Sequence, residues 1–499
     1  MQGTQTITAR IWPRAASRPG PELLRAAGFA LAILAIEVAL AKSAASSQAA
    51  KPVLLFVGVF VVALIFRFPL PTALVLVGLT DSIFSDTFLA RQVGPVTVRP
   101  YELALACLLA LAVVRPVKRS WGGSTGAALA AFLSLVTISA AIAVYEGRAE
   151  LTEAFNWARP LALLTIFYVV IRLFPNAEQR RKLLLGGAII AAATGVVALF
   201  ASLGAGFTDS LQQAGEQAIR EEGSGEVNRV RLPGLSAGYA LFWYSAVQVL
   251  ALRGRPRLLW SALLFGIALD ILVSFNRNMW VGIVIGLLLI VVLGGPVVRS
   301  RIGWSIALAT AGVVAVVVFG GSSSSDRVVS PVLKRGATIL NPSKTAGENS
   351  LQDRAKETRT AWKTAQENPL LGVGAGASFG VMSRHPVTSG SIYLGEATEP
   401  QLFLHNQYLY LLLIAGVPGL LAFLWFLGSA VFYAFGRRPR DLPILACGVG
   451  ILLIMISAAV AIYFTVENMT TMLGLLAGVI VADRLGNARH GDPSGLLQR

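Results

Sequence analysis

Long apolar runs alternate with short polar breaks along almost the whole chain. A helix needs about 20 mostly apolar residues to cross the hydrocarbon core of a bilayer, and runs near that length predict about fourteen spans. They fall at 24–43, 52–67, 70–90, 100–116, 125–145, 159–174, 183–205, 235–252, 258–276, 279–297, 302–320, 404–436, 442–464 and 466–484. The 70–90 run has Pro69 and Pro71 at its start and Asp81 and Asp86 at its end. The 404–436 run is too long for one straight span, and Gly416 and Pro418 interrupt it. Proline inside a helix removes a hydrogen bond and kinks the rod. A short outer helix opening near Leu402 and a spanning part from Val417 are therefore expected.

One long hydrophilic stretch, 321–403, breaks this pattern. It follows a Gly-Ser run at Gly320–Ser325 that suits a flexible exit from a span. Ser350 is placed to cap a helix, with Asp353 three residues on favoured by the helix dipole. Leu351, Ala355, Thr358, Trp362 and Ala365 recur at helical spacing. The helix should stop at Asn368, because a residue before proline leaves the helical region. Gly372, Gly374, Gly376 and Gly380 then crowd GVGAGASFG, which lets backbone approach a neighbour closely. The expected class is all-α: a polytopic helical membrane protein of about 12–14 spans with one large extracytoplasmic loop containing helices. Its parts are an N-terminal cytoplasmic tail (1–23), a first set of spans (24–320), the extracytoplasmic loop domain (321–403), a last set of spans (404–484) and a cytoplasmic tail (485–499).

Composition agrees. Charged residues make up 14% of the chain and hydrophobic residues 55%, with a mean hydropathy of +0.67. A soluble domain carries about a quarter charged residues, so water is not the solvent for most of this surface. The net charge of +16 sits in clusters between runs. These are Arg115, Lys118 and Arg119; Arg172, Arg180, Arg181 and Lys182; Arg253, Arg255 and Arg257; Arg299 and Arg301; and Arg437, Arg438 and Arg440. With the spans above, all fall on the side of both termini, which the positive-inside rule makes cytoplasmic. Nucleic acid is therefore not needed to explain the charge. Arg10, Arg14, Arg18 and Arg25 precede an apolar run, as in a secretory leader, but no small-residue cleavage site follows, so that run reads as a spanning helix. Cys107 and Cys447 lie in apolar runs and suggest neither a disulfide nor a metal site.

Candidate chemistry gathers on the outward side. His405, one of three histidines, and Asn406 stand where the long loop gives way to an apolar helix. Arg277 lies in SFNRNMW at an outer helix junction, Arg354 on the loop helix, and Arg229 and Arg231 in NRVRLPGLSAGYA. Arginine offers a rigid fork of donors matched to phosphate oxygens. Histidine can take a proton from an acceptor hydroxyl near neutral pH. No Asp-rich motif appears in the outer loops, which favours arginines over a carboxylate-held metal for a lipid pyrophosphate. Each residue also has an ordinary reading: Arg277 as a snorkelling helix end, Arg354 as a solvated face, Arg229 and Arg231 as loop charges, and His405 as an interfacial hydrogen bonder. His385 and His490 read as loop and tail residues. The glycines of 372–380 lack the Walker pattern. Glu37 and Asp270 are intramembrane charges, and such charges hint at function. Asp270 shares a face with Arg277 if one helix continues through both, and would then orient that site.

These blocks resemble the O-antigen ligase and O-antigen polymerase superfamily of bacterial membrane proteins. The likeness rests on HNQYLYLLLIAGVPGLLAFLWFL and DRAKETRTAWKTAQENPLLGVGAGASFG, with SFNRNMW and RLPGLSAGYA fitting more loosely, over roughly residues 229–430. Asn276 stands where the family usually has Ser, and the expected span count exceeds the family's usual twelve or so. The resemblance implies a glycosyltransferase of the bacterial inner membrane that needs no metal and no cofactor. Its partners would be an undecaprenyl-pyrophosphate-linked glycan donor, a lipid or glycan acceptor, and the bilayer. It implies His405 as the base on the acceptor hydroxyl, Arg277 and Arg354 on the pyrophosphate, Arg231 assisting, and Asn406 and Asp270 in support. Displacement in one step would invert the anomeric centre. Ligase and repeat-unit polymerase remain alternatives within the family. A lipid-linked glycan transporter is the rival from another class, but transporters usually show paired broken helices, and one break is visible here.

Overall fold

The computed structural model describes residues 64–80, 91–93, 96–115, 121–202, 235–274, 276–295, 298–299, 348–383, 398–400, 402, 404–436 and 441–489. The expected spans 24–43 and 302–320, most of 52–67, the N-terminal tail, residues 490–499, and Glu37, Arg229, Arg231, His385 and His490 lie outside them.

The described chain is a helical membrane protein. Its elements are α1 (Pro69–Thr80), β1 (Arg91–Val93), β2 (Val96–Val98), α2 (Pro100–Val114), α3 (Gly123–Tyr145), α4 (Leu151–Ala162), a 3-10 turn (Leu163–Thr165), α5 (Ile166–Leu173), α6 (Ala177–Ser202) and α7 (Leu235–Ala251). There follow α8 (Arg255–Val273), α9 (Arg277–Leu293), α10 (Glu348–Glu367), β3 (Val381–Ser383), β4 (Thr398–Pro400), α11 (Gln407–Gly436), α12 (Leu442–Ser457) and α13 (Glu467–Arg489). Each strand pair is a short antiparallel ribbon. Among the described residues five helices are long and apolar enough to cross a membrane: Gly123–Tyr145, Leu151–Leu173, Ala177–Leu199, Gln407–Gly436 and Glu467–Gly486. Exposed apolar stripes fit a lipid surround. Val284, Leu288 and Val292 lie along one face of α9, and Leu421, Trp425 and Phe432 along one face of α11. Small residues let helices pack closely where oil drives no association. A Cβ on Gly195 of α6 would meet the carbonyl oxygen of Gly266 on α8 at 2.0 Å.

The bundle has two chemically distinct ends. At one end Arg172 donates to the carbonyls of Ala112 and Arg115, and Arg180 pairs with Asp483 at 3.4 Å. The end of α2 thus meets the end of α5, and the start of α6 meets the end of α13. At the other end Arg99, before α2, bonds Glu467 at the start of α13 at 2.7 Å and Tyr101 at 2.7 Å. Arg159 pairs with Glu102 at 2.8 Å and donates to the carbonyl of Thr97, tying the β1–β2 ribbon down. Arg115, Arg172 and Arg180, from two of the basic clusters, thus lie at the first end.

Several boundaries move. The span expected at 159–174 begins at Leu151 instead, because LTEAFNWA forms an amphipathic first segment that continues through the 3-10 turn. α12 ends at Ser457, not at 464; residues 458–466 form a turn that returns the chain to α13. The loop helix starts at Glu348, two residues before Ser350, and stops at Glu367 as proline at 369 demands.

The break in α11 is where the loop domain is joined to the bundle. Gly416 has φ 66° and ψ −175°, a region open in practice only to glycine. A regular helix would give the Val417 N–H to the carbonyl of Leu413. Instead Val417 N–H donates to Pro369 O at 2.8 Å, and Leu413 O accepts from Val373 at 2.6 Å and from Gly374 at 3.4 Å. Pro418 suits this site because its missing N–H falls in the first turn of the second segment. Several glycines after Pro369 lie against neighbouring helices. A Cβ on Gly372 would lie 2.0 Å from Leu413 O, and one on Gly376 would lie 2.5 Å from Ala154 N. Ser139 donates its hydroxyl to Leu371 O. The segment 369–376 is thus wedged among α3, α4 and α11, and it hangs α10 over the start of α11.

Candidate active site

His405 sits two residues before α11, in a turn fixed on every side. Asn406 caps the helix: its Oδ1 accepts from Leu409 N at 3.2 Å and its carbonyl from Tyr410 N at 3.0 Å. Gln407 is fully buried and works as a brace. Its Nε2 donates to Leu404 O at 2.7 Å, and its Oε1 accepts from Phe464 N at 3.1 Å. Its own N–H donates to Ala458 O at 3.0 Å. The α12–α13 turn therefore holds the histidine's peptide in place.

A partner of the imidazole comes from the loop helix. Glu357 on α10 accepts the His405 backbone N–H on Oε1 at 2.9 Å, and its Oε2 lies 3.0 Å from Nδ1. An ionised carboxylate only accepts, so opposite one Nδ1 would be the protonated ring nitrogen. The Glu357 side chain is 2% exposed and that of His405 31%. Glu357 shares its buried face with Ala361 and Ala365, whose small side chains let α10 lie close to α11. The face expected from sequence is corrected here: Trp362 is 53% exposed and points away.

The same turn reaches the start of α9. Asn276 caps that helix by accepting from Asn278 N at 3.2 Å, and its Nδ2 donates to Tyr463 Oη at 3.4 Å. Tyr463 precedes Phe464, which is bonded to Gln407. A chain of contacts thus runs from Gln407, two residues after His405, to the cap beside Arg277, the first residue of α9. Arg354 occupies α10 one turn before Glu357. The backbone therefore gathers Arg277, Arg354, His405 and Asn406 at one end of the bundle, while Arg231 is outside the described residues.

Asp270 differs from its expectation. No helix continues from it to Arg277, because α8 ends at Val273 and Asn276, the N-cap of α9, is extended. Asp270 is 2% exposed, with Oδ2 3.4 Å from the position of a Cβ on Gly238 and its own Cβ 3.0 Å from that on Gly195. It is packed where α6, α7 and α8 meet.

Residues 261–424 match the family model described as O-antigen ligase. This match supports the resemblance to the O-antigen ligase/polymerase superfamily over that segment. No curated protein matches the chain. The O-antigen ligase segment contains Asp270, Arg277, Arg354, Glu357, His405 and Asn406, and it leaves Arg231 outside. It also contains the break at Gly416 and the wedge at 369–376, so the matched region is the part that builds this end of the bundle. Glu357 was not singled out from sequence. The signal available was a carboxylate four residues before Ala361 on a helix already expected to pack one face.

Proposed function

We propose that the protein is a glycosyltransferase of the O-antigen ligase type, moving a glycan from undecaprenyl pyrophosphate to an acceptor hydroxyl on the periplasmic face of the inner membrane. The observation that carries this reading is the Glu357-held imidazole of His405, inside an O-antigen ligase domain and tied through Gln407 and Tyr463 to the start of α9.

The chemistry follows from the tautomer. With Nδ1 protonated, Nε2 carries the lone pair and is the basic atom. It takes the proton of the acceptor hydroxyl as that oxygen bonds to the anomeric carbon. The bond from this carbon to the pyrophosphate oxygen breaks, and its electron pair leaves on undecaprenyl pyrophosphate. Attack and departure on opposite faces invert the centre. The leaving group's charge is met by Arg277 and Arg354 through forked hydrogen bonds, with Arg231 assisting. Arg277 opens α9, and anions are favoured at a helix N-terminus. Asn406 supports the site by capping the helix that begins beside His405, and Asp270 supports it by packing α8, which leads to Arg277. The basic end of the bundle and both termini lie in the cytoplasm on this reading.

The test uses full-length protein in liposomes with an undecaprenyl-pyrophosphate-linked oligosaccharide, in EDTA. One arm offers a lipid acceptor and the other a second lipid-linked repeat unit, which separates ligase from polymerase. Transfer that persists in EDTA and disappears in His405→Ala supports the reading. Transfer unaffected by His405→Ala overturns it.

A further inference from the structure

We infer that Glu357 is a positioning residue that fixes His405 as its Nδ1–H tautomer. The catalytic meaning of this role rests on the proposed function, but the tautomer itself does not.

Both carboxylate oxygens are committed to the same residue. Oε1 accepts its main-chain N–H at 2.9 Å and Oε2 faces its ring at 3.0 Å. The main-chain bond keeps the carboxylate from rotating, so the ring bond has a fixed direction. The carboxylate is buried at 2% exposure while the ring stays 31% exposed. One side of the imidazole is therefore anchored in a dry contact, and the residue still reaches the surface. Neutral imidazole carries one ring proton, so a proton held on Nδ1 leaves Nε2 as the base. The anchor is delivered by α10, whose place depends on the wedge in the α11 break. The base is consequently set by the loop domain and not by the membrane helices alone.

Gln at 357 separates positioning from packing. It has the same shape but one acceptor and one NH2. The backbone N–H of His405 cannot give up its proton, so it retains the amide oxygen. The NH2 then faces Nδ1 and donates to it, which moves the ring proton to Nε2. The shape is kept and the base is lost. Glu357→Asp keeps two acceptor oxygens but is one methylene short.

The chain has three histidines, His385, His405 and His490, so 15N-histidine labelling of the full-length protein in nanodiscs gives a readable spectrum. The His405 signals are those that vanish in His405→Gln. At mildly alkaline pH, long-range proton–nitrogen correlation is expected to show Nδ1 protonated in the wild type and Nε2 protonated in Glu357→Gln. In the liposome assay Glu357→Gln should lower kcat on the order of 10³- to 10⁴-fold, as a wrong tautomer does in serine proteases. Its donor KM should stay within about twofold, and Glu357→Asp should recover part of kcat. A wild-type His405 protonated on Nε2 overturns the inference, as does a Glu357→Gln protein with unchanged tautomer and kcat. Should Glu357→Gln fail to fold, the wild-type spectrum and the Glu357→Asp kinetics decide. A wild-type enzyme that transfers no glycan defeats the proposed function, while the spectrum still decides the tautomer.

Discussion

Replacing Gly416 by alanine tests the join between loop domain and bundle. Its φ of 66° and ψ of −175° cost a residue with a side chain about 1–3 kcal/mol. The new Cβ would also lie 2.1 Å from the carbonyl oxygen of Leu370 and 2.7 Å from Leu371 N, so the wedge must move. The helix can instead straighten and restore the bond from Val417 to Leu413. Pro369 O and Val373 N then lose the partners they have at 2.8 and 2.6 Å. Two orphaned backbone groups in an apolar setting cost about 1–3 kcal/mol each. By either route the loss is roughly 2–6 kcal/mol, a large part of the 5–15 kcal/mol that holds a typical domain folded. Gly428→Ala is the control on the same helix, since a Cβ there meets nothing within 4 Å. It should be neutral or stabilise by up to about 1 kcal/mol. Thermal unfolding in detergent and hydrogen exchange of the 369–376 peptide measure both variants. The expected result is a lower midpoint and faster exchange for Gly416→Ala alone, with reduced transfer because α10 carries Glu357. A Gly416→Ala protein with a wild-type midpoint and protected amides at Val373 and Val417 would refute the account of the break.

Three further outcomes are expected. Arg277→Lys should lose about 10- to 100-fold in transfer, because a point charge does not replace a fork whose charged bonds are worth about 1.5–3 kcal/mol; near-normal turnover counts against pyrophosphate binding there. Ala361→Leu should destabilise by about 1–3 kcal/mol through overpacking between α10 and α11, whereas Trp362→Ala on the exposed face should stay within about 0.5 kcal/mol; unfolding midpoints compare the pair. Asp270→Asn should reduce either membrane yield or transfer, and a variant unchanged in both leaves Asp270 without a supporting role.

Much of the architecture was legible because the bilayer imposes a length and a charge rule that act locally. The starts of α2, α7 and α13 fall within a residue or so of the apolar runs that predict them. The kink at Gly416–Pro418 follows from two residues whose backbone limits are intrinsic. The errors fall where tertiary contact overrides composition. Helix α4 begins early because Trp157 and Ala154 find partners in Tyr410 and the Gly376 segment, and a hydropathy window scores LTEAFNWA as polar. α12 ends early because Ala458 and Phe464 give their backbone groups to Gln407, a partner some fifty residues away in the chain.

The site was half legible for the same reason. Rarity marks a histidine, and an arginine at a helix end is conspicuous, but neither says which neighbour gives it a role. Glu357 lies in a run, DRAKETRTAWKTAQE, where charge alternates in sign and reads as a solvated helix face. Ranking that helix by apolarity puts Trp362 inside and Glu357 outside, and the structure has them reversed. The reversal has a cause. The surface that α10 packs against includes the opening turn of α11, where the backbone N–H of His405 and its imidazole Nδ1 both face Glu357. A carboxylate satisfies both at once, and flanking alanines allow it to come close. The residue best suited to that face is thus an acid, and a rule that sends charges to solvent assigns it to the wrong side.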